Sequence, residues 1–353
     1  MKKYESITKI LEKRILSGDY SIHPISSERK LAEEMGVSHM TLRKAVKVLI
    51  EKKILFRESN GRLSATSENE GENHFLNIAF LVPAFMSTFF ANIFNSLIHV
   101  ASKMQVSVRS VNYLHWDDPV IKRSLDGFDG VFLYRSTESM PDNVIKMLCS
   151  NKCPVAVFEE DMAKWGIPSI TVYPTRSTGQ LFDHLKRLGH KHINCLNTQP
   201  IDSIIRNRIS EWEMWMAKKH LKGEFINDPV ESYEQPIIRA YEVMGNLLDT
   251  DRFNASALFC TIEPTAIGAM RAITERKISV GSGISVCSAS DEGLAHFLTP
   301  SLTTVSMPDI TPILTRCLKW MAKGGGEWDG SLLLEPDNLT LFIGESTASP
   351  DSR

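Results

Sequence analysis

From residue 77 onward, short and almost wholly apolar runs alternate with longer amphipathic stretches, and this alternation constrains the fold more than any other feature. The runs are "NIAFLVP" (77–83), "GVFLY" (130–134), "PVAVF" (154–158), "SITV" (169–172), "HINCLN" (192–197), "SALFC" (256–260), "GISVC" (283–287) and "LTTVS" (302–306). Between them lie stretches of helical periodicity such as "RSTGQLFDHLKRLG", "NRISEWEMWMAKKHL" and "EPTAIGAMRAITERK". Apolar strands joined by helices specify an α/β class with parallel sheets covered on both faces. The 270 residues from 76 to 345 are many for one sheet, which predicts two lobes with a cleft between them. A ligand then binds in the crevice at the carboxyl ends of the strands.

The first 66 residues follow another pattern. Tyr4, Ile7, Leu11 and Ile15 recur at helical spacing, and Gly18 is a natural left-handed stop. Leu31, Ala32 and Met35 form the inner face of a second helix. Gly36 breaks it, and Ser38 is placed to cap a third helix whose Leu42, Ala45, Val46 and Leu49 face inward. "ILFRESNGRLSA" then alternates around Asn60-Gly61, a strong hairpin signal. Helix, helix, turn, helix and hairpin make a winged helix-turn-helix, whose third helix has the size to enter a DNA major groove.

His39, Arg43 and Lys47 are spaced four apart and share the outward face of that helix. Arg43 can pair bidentately with guanine, while Lys44 and Lys47 suit phosphates. Ser38 and Thr41 offer hydroxyls to the DNA backbone, although a cap alone also accounts for Ser38. For each residue singly, a solvated surface is the alternative.

Charge supports the reading. Residues 1–66 hold 14 Lys plus Arg against 8 Asp plus Glu, a net of +6, which leaves −8 on the remainder. A basic end on an acidic body suits a polyanion partner for the first segment only.

Residues 4–60 resemble the winged-helix domain of GntR-type bacterial regulators, whose pattern runs from an Ile-x-x-x-Leu helix through Leu-Pro-Ser-Glu-Arg-x-Leu-Ala to Ser-Arg-x-Thr-Val-Arg-x-Ala. The resemblance implies DNA contacts by Arg29, Ser38, Thr41 and Arg43 and places Gly61 in the wing. Here Ser26 stands in place of Pro, Lys30 in place of the capping-box Glu, and His39 in place of Arg. "NGRLS" replaces the usual Gly-x-Gly-Thr wing tip.

Residues 77–345 resemble the effector domain of LacI/GalR regulators, built like periplasmic sugar-binding proteins. The segments that carry this are "GVFLY...CPVAVFEED", "HLKRLGHKHINCL", and "PTAIGAMRAITERKISVGSGISVCSASDE" followed by "TPSLTTVSMP". The combination is similar to the arabinose-repressor branch of GntR regulators. The resemblance implies a carbohydrate-like effector between the lobes. Arg208 takes the position of a ligand-clamping Arg, whose planar guanidinium can donate to two adjacent hydroxyls. Trp212 takes the following aromatic position, with Glu211 replacing Gly, and Phe90 that of an aromatic stacking on a sugar face. Glu263 stands for a usual Asp, and Ser290 and Asp291 for a pair of Asp residues. A place in the core is the alternative for Phe90 and Trp212, a helix N-terminal charge for Glu263, and a surface ion pair for Arg208.

These readings divide the chain into a winged helix-turn-helix (1–66), a linker (67–75), a two-lobed effector and dimerisation domain (76–345) and a tail (346–353). No nucleotide-binding, hydrolase or metalloprotease motif is present, so neither catalysis nor a cofactor or metal is expected. "HKH" (190–192) beside a strand reads as structural. The six cysteines are scattered and read as reduced core thiols. With no span or leader pattern, a cytoplasmic homodimer on an operator, acting as a repressor, is expected. The alternative is a body that has lost sugar binding and serves as a dimerisation or protein-interaction module.

Overall fold

The computed structural model describes residues 3–16, 19–20, 25–59, 61–65, 76–104, 106–231 and 234–350. The Gly18 stop, Asn60 and the 67–75 linker lie outside the described residues. The N-terminal unit comprises α1 (Lys3–Leu16), α2 (Glu28–Glu34), α3 (His39–Glu51) and a hairpin of β1 (Leu55–Arg57) and β2 (Leu63–Ala65). Ile7, Leu11, Leu31, Leu42, Val46 and Leu49 form its core with the hairpin residues Leu55 and Leu63. Local chemistry sets its turns. Ser27 Oγ accepts from Lys30 N–H at 3.4 Å to start α2, and Ser38 Oγ accepts from Thr41 N–H at 3.2 Å to start α3. Gly61 supplies φ +82° at the antiparallel turn, a conformation that side chains resist.

The body is two similar lobes. The first contains β3 (Leu76–Pro83), α4 (Thr88–Ala101), β4 (Val106–Tyr113), α5 (Pro119–Gly127), β5 (Gly130–Tyr134), α6 (Asp142–Ser150), β6 (Val155–Phe158) and β7 (Ser169–Ile170). The second contains α7 (Gly179–Arg187), β8 (Ile193–Asn197), α8 (Ser203–Lys219), β9 (Phe225–Asn227), α9 (Pro236–Asp249), β10 (Ala257–Cys260), α10 (Glu263–Glu275), β11 (Ser285–Ser288) and β12 (Thr303–Val305). The chain then returns to the first lobe through α11 (Thr311–Met321) and β13 (Leu333–Leu334), and again to the second as β14 (Leu341–Phe342).

Strand order is β4-β3-β5-β6-β7-β13 in one sheet and β9-β8-β10-β11-β12-β14 in the other, parallel throughout except for β14. In both lobes the first strand has the second on one side and the third on the other. That reversal opens a crevice at the strands' carboxyl ends. Buried Phe80, Phe132, Phe158, Phe182 and Phe259 fill the sheet faces. Gly268 lets α10 press on α9, since a Cβ there would lie 2.2 Å from Ile237 O.

Two expectations are corrected. The tail does not start at 346: Ser346 is fully buried, its Oγ accepts from Thr303 N–H at 2.9 Å, and Ala348 N–H donates to Ser285 Oγ at 3.1 Å. Four cysteines are buried, but Cys149 is exposed and Cys153 half-buried, because both lie at the solvent-facing end of α6 and its following turn.

Candidate functional site

Two surfaces gather the chemistry. On the N-terminal unit, α3 buries Leu42, Ala45, Val46 and Leu49 and so presents His39, Arg43, Lys44 and Lys47 to solvent. Lys47 lies 3.8 Å from Glu51, and Arg29 on α2 lies 3.5 Å from Glu33, both as exposed pairs that bind weakly and leave the cations available. Glu28 faces His39 at 3.5 Å and also pairs with Arg57 of β1, which locks the start of α3 to the wing. Ser38 Oγ and Thr41 Oγ1 lie 2.8 Å apart, so the cap hydroxyl is already engaged before any phosphate arrives. Arg57 Nη1 donates to Gly61 O at 3.2 Å and braces the wing tip. The geometry is a reading helix with an adjoining wing.

The second surface is the cleft. Residues from the ends of strands and from the helices that follow them converge there: Phe89 and Phe90 on α4 beyond β3, Tyr134 and Arg135 at the end of β5, Glu159 after β6, Tyr173 after β7, Arg208 on α8 beyond β8, and Ser290 and Glu292 after β11. They enclose a cavity of about 110 Å³. Phe90 and Tyr134 pack with ring centroids 4.5 Å apart, giving the cavity an aromatic wall. Arg208 is only 7% exposed, and its Nη1 donates to Thr261 O at 2.6 Å and to Ser290 Oγ at 3.4 Å. The guanidinium is thereby fixed in position with further N–H groups to offer.

Carboxyls surround these cations. Burial pushes Glu159 up to about 7, against the opposing pull of the Val172 N–H that it accepts at 2.8 Å. Burial, with Asp291 and Glu292 beside it, pushes Glu263 up to about 8. Two bridges cross the cleft. Arg135 contacts Glu160 at 2.9 Å in its own lobe and Asp202 at 3.2 Å in the other. Glu292 Oε2 accepts from Thr88 Oγ1 at 2.8 Å, and its carbonyl accepts from Asn92 Nδ2 at 2.6 Å.

Phe90, Arg208 and Ser290 are therefore brought together, and Glu263 lines an adjoining chamber. Trp212 is not in the cleft. One turn beyond Arg208, α8 has run back to the first residue of β8, where the indole N–H donates to Ile193 O at 3.1 Å and the side chain is core. Asp291 is also corrected. Its Oδ1 accepts from Gly293 N–H at 2.7 Å, and its backbone is clasped by the Tyr173 hydroxyl, so its neighbour Glu292 faces the cleft instead. Tyr134, Arg135, Glu159, Tyr173 and Glu292 went unmarked in the sequence. Their signal was position at or just past the end of an apolar run.

Comparison with known proteins bears on both surfaces. Residues 3–63 match the bacterial regulatory proteins of the gntR family, and residues 182–310 match a periplasmic binding protein-like domain. The two matches give a gntR-type segment ahead of a periplasmic binding protein-like segment. The regulator is 23% identical over 304 residues to the probable HTH-type transcriptional repressor ExuR of Bacillus subtilis, covering 79% of this chain and 86% of that one. It is 23% identical over 394 residues to the arabinose metabolism transcriptional repressor of Halalkalibacterium halodurans, covering 99% and 98%. A LacI family transcriptional regulator from Arthrobacter sp. FB24, solved in complex with lactose, superposes with a TM-score of 0.65 at 16% identity over 77% of this chain and 99% of that one. That likeness establishes the fold of the body. The protein is a DNA-binding transcriptional regulator rather than an enzyme. Among the described residues, no group of His, Cys, Asp and Glu is arranged to hold a metal, and no helix is long and apolar enough to cross a membrane.

Proposed function

We propose that the regulator is a cytoplasmic repressor that binds a two-fold operator as a homodimer and is controlled by a small carbohydrate-like effector in the cleft. The observation that carries the effector reading is the pairing of a fixed, buried Arg208 with the Phe90–Tyr134 wall in one interlobe cavity. Polyhydroxylated rings need planar donors at their rim and an apolar surface against their face. Ser290, Glu159 and Glu292 add groups able to meet hydroxyls, and Glu263 extends the set outward.

In the reader, Arg43 and His39 address base edges, while Arg29, Ser38, Thr41, Lys44 and Lys47 position the helix on phosphates and Gly61 carries the wing. The effector works by preferring one arrangement of the lobes, and the change in DNA affinity can be no larger than that preference.

The test is fluorescence anisotropy on DNA taken from upstream of the protein's own gene, titrated with pentoses, hexoses and hexuronates. Salt-dependent, site-selective binding weakened by one sugar supports the whole reading. The Arg135 and Glu292 bridges join the lobes through protein groups, which favours a second reading, a body that only dimerises, and selective DNA binding that no sugar alters would support it.

A further inference from the structure

We propose that the end of the second lobe opposite the cleft is a second DNA-contacting surface, where Lys186, Arg187, Lys191, Lys218, Lys219 and Lys222 hold the phosphates of a duplex other than the one on the reader.

The cleft lies at the carboxyl ends of the strands, and this surface lies at their amino ends. α7 ends at Arg187 and α8 at Lys219, and the chain turns from them into β8 at Ile193 and β9 at Phe225. The two turns are joined: Lys222 N–H donates to Lys191 O at 2.9 Å, and Ile193 N–H to Lys222 O at 2.8 Å. Residues 186–192 and 218–222 therefore form one patch, with five Lys, one Arg and no Asp or Glu in its two segments. Lys219 is half-buried and the other five cations are exposed. Asp183, Glu213 and Glu224 flank the segments, yet none of the six cations takes part in an ion pair among the described residues.

Local stability accounts for only part of this. Lys186, Arg187, Lys218 and Lys219 complement the negative ends of the two helix dipoles. Lys191 and Lys222 lie beyond both helices and have no such role. Nor does the fold ask for cations where a helix turns into a strand, since the turn from α5 into β5 carries Asp126 and Asp129. The patch is also opposite in sign to its surroundings, because residues 67–353 carry a net charge of −8.

The chemistry selects the partner. Protein interfaces are poor in Lys and centre on aromatic or Arg anchors. Here Lys dominates, and the neighbouring Trp215 is already engaged: its indole N–H donates to Glu211 Oε1 at 3.1 Å, and its ring centroid lies 4.9 Å from Lys219 Nζ. Ammonium groups without an apolar anchor suit an array of phosphates. With Trp215 occupied there is no platform for unpaired bases, which favours a duplex over a single strand. DNA held by the reader supplies such a duplex at high effective concentration. A regulator seated on one segment thus presents a second grip to another.

A bridging assay tests this. Full-length protein is loaded on bead-bound DNA from upstream of its own gene, free protein is washed away, and a fluorescent duplex of unrelated sequence is added. The wild type should capture the second duplex at about 50 mM KCl and release it at about 200 mM, as phosphate contacts require. Lys191→Gln/Lys222→Gln should lower capture about fivefold or more, while staying on the upstream DNA and melting at the wild-type temperature. Lys191→Arg/Lys222→Arg, which keeps the charge, should capture as the wild type does. Equal capture by the wild type and the Gln variant, or capture by neither, would overturn the proposal. Fluorescent poly-glutamate captured where the duplex is not would also overturn it and assign the patch to an acidic polypeptide.

Discussion

Glu159 shows most clearly how one residue is bent to a purpose. It holds φ +62°, a left-handed conformation that costs a non-glycine residue about 1–2 kcal/mol, and it does so where a carboxyl at the end of β6 enters the cleft. Burial lifts its pKa from 4.5 to about 7. Between those values the unfolded chain has released the proton and the folded one retains it, so stability falls as pH rises from about 4.5 to about 7 and then levels. The loss attributable to Glu159 is on the order of 3 kcal/mol. Urea unfolding at pH 5 and pH 8 should show a smaller fall in Glu159→Gln than in the wild type; equal falls would place the titration elsewhere. Trp212 makes the opposite case, a side chain that resembles a ligand residue by position and acts as a structural one. Trp212→Phe should lower unfolding free energy by about 1–3 kcal/mol, by leaving Ile193 O without its donor, with ligand affinity unchanged by calorimetry.

At the scale of elements, the helices of the reader follow from cap and period, while several strands do not. α3 starts where Ser38 caps it and buries each of the four residues its 3.6-residue period selects. Ser38→Ala should cost about 1 kcal/mol in the reader's thermal unfolding. Arg43→Ala should leave that melting unchanged and weaken operator binding by about 1–3 kcal/mol in anisotropy titrations, with relaxed discrimination at one base pair. Loss of affinity shared equally by all sequences would make Arg43 a phosphate contact. The buried strands β5 and β6 stand out as continuous apolar runs. The edge strand β4 carries Ser107, Arg109, Ser110 and Asn112 among its apolar residues, because an edge needs core packing at only some positions, and it passed unnoticed. β9, β13 and β14 are two or three residues long, too short to display any period.

The whole molecule is two lobes that the chain crosses three times, after β7, after β12 and after β13. Three connections join the lobes, and side-chain bridges span the cleft between them. Arg135 is buried between Glu160 and Asp202, so Arg135→Ala strands two carboxylates and should cost about 3–5 kcal/mol in urea unfolding of the body. It should also increase the radius of gyration in small-angle scattering without ligand; an unchanged radius would assign closure to the remaining contacts, those of Glu292 and of Tyr173 with Asp291. The reader is tied to the same body through Asp19, which receives Arg14 at 3.0 Å and Arg109 of β4. Arg109 thereby joins the N-terminal unit to the edge strand of the first lobe.

The amino-acid order by itself determined what depends on near neighbours: helix faces, caps, the hairpin turn, the buried parallel strands and hence a reader joined to two α/β lobes. Periodicity and capping act over a few residues, so they are written locally. The cleft was decided only by the tertiary structure, because its residues come from separate strand ends and their roles depend on what stands opposite. Arg208 and Trp212 occupy the same helix face, yet one turn separates a cavity from a core. Asp291 and Glu292 are adjacent carboxylates, and the loop's hydrogen bonds choose which one faces the cleft.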